Sequence, residues 1–164
     1  MSYVPEKTIY LCLAHMSEDG NEQKYVKEAF DSNWVVPLGP NVNGFEDDLK
    51  KFVGGEHEVV ALSAGTAAVH LALIACGVQA DDEVLVQSFT FCASSHPITY
   101  LGAKPIFVGS EKMTWNMDPA LLEDAIKDRI VKTGKTPKAI LPVALYGMPY
   151  DCERIMEIAN RYGI

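Results

Sequence analysis

No CxxC pair occurs in the sequence, and the four cysteines, Cys12, Cys76, Cys92 and Cys152, stand far apart. That spacing argues against a disulfide scaffold or a zinc ribbon. All four, with at least Cys76 and Cys92 set among apolar or small residues, read as reduced, small core residues. A metal site drawn from Cys12, His15 and Cys92 has no ligand spacing behind it, so no metal is expected. Basic residues are also short: 14 Lys and Arg against 22 Asp and Glu give a net charge of −8. This argues against nucleic acid or an anionic membrane as the main partner. No apolar run is long enough for a membrane span. The start, with Glu6 and Lys7 soon followed by His15 and Glu18, is no signal peptide, and a cytoplasmic location is expected. Neither a GxGxxG fingerprint nor a Walker loop is present.

What the chain does have is 164 residues at 48% hydrophobic content, enough for a domain with a real core. Its organising stretch is Ser63-Ala64-Gly65-Thr66-Ala67-Ala68-Val69-His70-Leu71-Ala72-Leu73. Val59–Leu62 is an apolar run of strand length, Gly65 gives freedom to turn out of it, and a buried helix begins near Thr66. The free N–H groups and positive dipole end of that helix face the turn and make a ready anion site. Gly65 removes a Cβ that would hold a phosphate away, and Thr66 offers a hydroxyl. A tight strand-to-helix connection that binds nothing fits the same residues.

The N-terminal part, residues 1–57, reads as an arm with an apolar segment at Ile9–Leu13 and two amphipathic helices. The first spans about Glu22–Phe30, with Ser17 as a cap before it, and presents Tyr25, Val26, Ala29 and Phe30. The second spans about Asn43–Phe52 and presents Phe45, Leu49 and Phe52. Between them, Ser32–Asn41 is rich in breakers yet holds Trp34, so it reads as an ordered loop with exposed aromatic surface. From residue 58 to 164 strands and helices alternate. Strands are predicted at Val59–Leu62, Glu83–Gln87, Lys104–Val108 and Ala139–Leu145. Helices follow at about Thr66–Cys76, Ser95–Leu101, Asp118–Lys132 and Asp151–Tyr162. Four such units predict a mainly parallel sheet in a three-layer α/β/α arrangement, with ligands at the carboxyl ends of the strands. Gly163-Ile164 stands where a further strand is expected, so the sequence reads as unfinished.

Taken in order, several motifs resemble one family. They are Ser17-Glu18, Trp34, Leu38-Gly39-Pro40, Phe45-Glu46, Gly65-Thr66-Ala67-Ala68, Asp82-Glu83-Val84, Ser88-Phe89-Thr90-Phe91, Gly102-Ala103-Lys104-Pro105, Tyr146-Gly147, Ala159 and Tyr162-Gly163. The chain is similar to the DegT/DnrJ/EryC1/StrS group of sugar aminotransferases, which use pyridoxal phosphate. The resemblance implies the N-terminal portion of the large domain of the aspartate-aminotransferase fold. It implies that Gly65 and Thr66 hold the cofactor phosphate, that Phe91 stacks on the pyridine face, and that Gly39 lies at the active-site mouth and subunit contact of a homodimer. The implied activity moves an amino group, with glutamate as donor, to the keto carbon of a nucleotide-linked sugar for polysaccharide or glycan biosynthesis. His15-Met16-Ser17-Glu18 and the Trp34–Asn41 loop look most like enzymes of UDP-linked 4-keto-6-deoxy sugars.

Several features depart from the pattern. The resemblance implies a Schiff-base lysine and an aspartate paired with the pyridinium nitrogen, and both are expected beyond Ile164, so no catalytic residue is assigned here. Lys104 and Lys138 sit just before strands. Gln87 stands where a proline is usual, Gly109 where an Asp is usual, and Ala144 where a His often stands. His70 reads as a core histidine, and His96 earns no role. A second reading stays open, in which the chain is a non-catalytic truncated domain or interaction module.

Overall fold

Residues 16–164 are described by a computed structural model. The Ile9–Leu13 segment, Cys12 and His15 therefore lie outside the described residues. The chain divides after Ala61 into two units. The first holds α1 (Asn21–Asp31) and α2 (Pro40–Phe52). Ser17 and Glu22 open α1 reciprocally: the Ser17 N–H and hydroxyl donate to the Glu22 carboxylate at 2.7 and 2.6 Å, and the Asn21 N–H donates to Ser17 Oγ at 3.1 Å. These bonds hold the Glu22 carboxyl below its ordinary range, the Ser17 hydroxyl foremost. Neither helix has a fully buried residue, and the predicted apolar faces stay open, with Phe30 67% and Phe52 85% exposed.

The second unit, Leu62–Ile164, is built on a three-stranded parallel sheet in the order β2-β1-β3, where β1 is Glu83–Gln87, β2 Lys104–Val108 and β3 Ala139–Leu141. Because side chains alternate along a strand, β1 feeds two cores. Val84 and Val86 pack with Leu73 of α3 (Gly65–Ala75) and Ile98 of α4 (His96–Tyr100). Leu85 packs with Leu122 and Ile126 of α5 (Pro119–Thr133) and with Ile155 and Ile158 of α6 (Cys152–Tyr162). Helices therefore cover both faces, the three-layer α/β/α arrangement expected from the alternation of elements. A bidentate ion pair from Arg129 to Glu83, at 2.9 and 2.6 Å, ties α5 to the start of β1 and holds the guanidinium above its ordinary pKa.

Local signals fix the ends of these helices. Asp118 Oδ1 accepts from the Ala120 N–H at 2.8 Å ahead of Pro119, and Asp151 Oδ1 accepts from the Arg154 N–H at 3.2 Å. The predicted Ser95–Leu101 helix is shorter, a 3-10 turn at Cys92–Ser94 followed by α4. Strand β3 stops at Leu141 rather than Leu145, since Asn116 and Gln87 side chains engage the following backbone.

Two expectations are corrected. Val59–Leu62 is not a strand: it pairs with none of β1 to β3, and the Ala61 N–H donates to Glu46 Oε1 at 2.7 Å instead of to a ladder. An apolar run becomes a strand only when its backbone finds a partner. Cys76, Cys92 and Cys152 are exposed rather than core residues. They occupy the cap of α3, the opening of the 3-10 turn and the first position of α6, and element ends are poorly covered.

Candidate functional site

Helix α3 starts at Gly65, with Ala64 in extended conformation before it and no side-chain cap. Its first backbone bond runs from the Ala68 N–H to the Ala64 carbonyl at 3.1 Å. The N–H groups of Gly65, Thr66 and Ala67 thus face outward from the helix end, as the geometry of a first turn requires. Gly65 does not have the positive φ expected of a sharp turn, so that expectation is corrected. A Cβ there would meet nothing within 4 Å. Open room beside three unbonded N–H groups at a dipole's positive end suits a phosphate.

Thr66 is half-buried one residue on. Phe91 ends the segment after β1, immediately before the Cys92–Ser94 turn, and is 76% exposed. That turn and α4 both pack against α3, so the segment carrying Phe91 and the helix carrying Gly65 and Thr66 are neighbours. Phe91 is a free ring, not a core aromatic. Gly39 belongs to the first unit, where it precedes α2 with φ 125°, and a Cβ on it would come within 2.8 Å of the Trp34 ring. Within that unit it allows Trp34 to close over the loop.

His70 is half-buried and meets the Tyr100 ring edge-on, with ring centres 5.7 Å apart. It is therefore not a core histidine. Lys104 opens β2 and pairs with Asp81 at 2.9 Å, while Lys138 stands immediately before β3. Both lie at the amino edge of the sheet. Among the described residues, no group of three His, Cys, Asp or Glu could hold a metal, and no helix is long and apolar enough to cross a membrane.

Two buried amides were invisible as functional residues in the sequence. Gln87, fully buried at the end of β1, accepts from the Met117 N–H at 2.8 Å and the Val143 N–H at 3.4 Å, and donates to the Phe89 carbonyl at 2.9 Å. Asn116, 1% exposed, donates to the Met148 carbonyl at 2.8 Å and accepts from the Leu145 N–H at 2.9 Å. Together they bind the loops that leave all three strands at their carboxyl ends. Their partners lie tens of residues away, so the only sequence signal was a polar residue closing an otherwise apolar strand. Beside them, Glu111 accepts from the Thr114 hydroxyl and the Thr114 and Met113 N–H groups. These bonds, the Thr114 hydroxyl foremost, hold its carboxyl below the ordinary range.

The profile of the DegT/DnrJ/EryC1/StrS aminotransferase family matches residues 16–164. EpsN of Bacillus subtilis, named as a pyridoxal phosphate-dependent aminotransferase, is 46% identical over 158 residues, covering 96% of this chain and 40% of its own. GDP-perosamine synthase of Caulobacter vibrioides is 40% identical over 146 residues, 89% of this chain and 37% of its own. The crystal structure of NtdA from Bacillus subtilis with bound cofactor PMP superposes with a TM-score of 0.77 at 31% identity, covering 91% of this chain and 33% of that one. This chain thus spans about two fifths of the length of the curated relatives it matches.

Proposed function

This chain belongs to the DegT/DnrJ/EryC1/StrS aminotransferase family, and on that premise we propose that it carries the cofactor-phosphate site of a pyridoxal-phosphate-dependent sugar aminotransferase. The observation that carries the reading is the start of α3, where no side chain caps the helix and the space beside Gly65 is open. The N–H groups of Gly65, Thr66 and Ala67 hold the phosphate, and the Thr66 hydroxyl adds a donor. Phe91, exposed on the neighbouring segment, offers its ring face to the flat, electron-poor pyridine. When bound, the cofactor supplies the electron sink for amino-group transfer. The contribution of this chain is to bind the phosphate, orient the ring and cover one of its faces.

The substrate we propose is a nucleotide-linked keto sugar, specifically a UDP-linked 4-keto-6-deoxy sugar, with glutamate as amino donor and polysaccharide or glycan biosynthesis as the setting. Gly39 is proposed for the mouth of the site and the contact between two copies of a homodimer in the cytoplasm. A second reading, a non-catalytic binding module, draws on the lysines: Lys104 and Lys138 stand at the amino edge of the sheet, away from where the ring is proposed to lie.

Phosphorus NMR of pyridoxal phosphate titrated with the chain tests the phosphate site. The cofactor resonance should shift and broaden with the native chain and stay put with Gly65→Val, whose side chain fills the open space. An equal response from both proteins would refute the proposal.

A further inference from the structure

At the carboxyl ends of the strands, a cleft of about 680 Å³ is lined by Phe89, Trp115, Tyr146, Met113 and Met148 with their neighbours. We infer that this cleft is a stacking subsite for the base of a nucleotide-linked substrate. Phe89 and Trp115 stand edge-to-face with ring centres 5.8 Å apart, and Tyr146, 74% exposed, shares the lining with them. Trp115 and Tyr146 both adopt positive φ, 63° and 51°. Bulky residues rarely occupy that region, and a fold that keeps them there holds the rings in place by other contacts. Those contacts are the two buried amides: Asn116 bonds the backbone on either side of Tyr146, and Gln87 bonds the backbone of Phe89 and Met117.

The chemistry of the lining selects the occupant. It contains no Lys or Arg, and the adjoining cleft, which shares Met113 and Thr114 with it, holds Glu111, Asp118 and Asp151 against the one cation Arg154. A phosphate is therefore disfavoured inside, whereas a flat, weakly hydrated ring gains stacking on aromatic faces. Phe89 is two residues from Phe91 on the same segment, and Phe91 itself is not part of the lining, as suits a base that the ribose and diphosphate hold apart from the reacting sugar. The choice of a nucleobase among flat rings rests on the nucleotide-sugar reading above.

The chain has only two tryptophans, Trp34 and Trp115, so labelling the full chain with 5-fluorotryptophan gives two fluorine signals, assigned with Trp34→Phe. Uridine and guanosine, which carry no phosphate, are titrated alongside ribose. One or both nucleosides should move the Trp115 signal saturably while the Trp34 signal stays. Tyr146→Asn, which keeps the left-handed backbone but removes the ring, should weaken that response roughly tenfold. Phe89→Leu should weaken it as well. No movement with either nucleoside, an equal response to ribose, or unchanged titrations in both variants would overturn the inference. Loss of cofactor binding with an intact nucleoside response would refute the proposed function alone, and the reverse would refute this subsite alone.

Discussion

Replacing Gln87 by Met keeps the length and volume of the side chain but removes every hydrogen bond it makes. The two short bonds decide the magnitude, to the Met117 N–H at 2.8 Å and the Phe89 carbonyl at 2.9 Å, because those to Val143 and Trp115, at 3.4 Å each, are too long to weigh much. Met117 is 1% exposed, so its N–H is left buried without a partner, at about 1–3 kcal/mol. The Phe89 carbonyl belongs to a residue that is 48% exposed and can turn to water. Burying a thioether in place of an amide returns a part of the loss, on the order of 1 kcal/mol. The expected net destabilisation is about 1–2 kcal/mol. Urea unfolding followed by Trp115 fluorescence, in a Trp34→Phe background, should show a midpoint lower by roughly 1 M at an unchanged slope. An unchanged midpoint would mean that Gln87 does not hold these loops, and the explanation of the cleft would fail with it.

Three further outcomes follow from the same structure. The Glu123 carboxyl is held below its ordinary pKa by Lys127 foremost, with help from the Tyr162 hydroxyl and Arg161. Its contribution is therefore present above the unfolded value and lost as the pH falls through the lowered folded one. Chemical denaturation of Glu123→Gln across pH should show a deficit near neutrality that shrinks in acid, and a constant deficit would contradict this. Association is expected by light scattering at micromolar concentration, since Phe30, Phe45, Phe52 and Phe107 are all more than half exposed and β2 and β3 have unpaired edges among the described residues; a monodisperse monomer would refute it. Borohydride reduction with pyridoxal phosphate should label scattered lysines below stoichiometry, and one stoichiometric adduct abolished by a Thr66 substitution would show a complete site.

The parts legible in the sequence were those set by local chemistry. Asp118-Pro119 and Asp151 mark their helices because a cap acts within a few residues. The β1 and β2 runs were readable because both faces of β1 are apolar. Val59–Leu62 is likewise apolar but has no pairing partner among the described residues, and composition cannot report a partner. The thiols at 76, 92 and 152 were misread for a similar reason, since neighbours in sequence do not reveal which element ends stay uncovered. Gln87 was noticed only as an unusual residue before Ser88-Phe89-Thr90-Phe91. Its role depends chiefly on Met117, which the fold brings to it from 30 residues away. Likewise Asn116 gives no signal until Leu145 and Met148 are beside it. For the candidate site, Gly65 and Thr66 were readable as a helix start, whereas the open space beside Gly65 and the exposure of Phe91 required the structure.

Amide-resolved NMR of the chain titrated with pyridoxal phosphate tests the central claim most directly. The Gly65, Thr66 and Ala67 N–H resonances should shift together and saturate at one cofactor concentration, inorganic phosphate should move the same three, and Phe91→Ala should weaken the cofactor but not the phosphate. Silence at those three amides while resonances elsewhere respond would contradict the account.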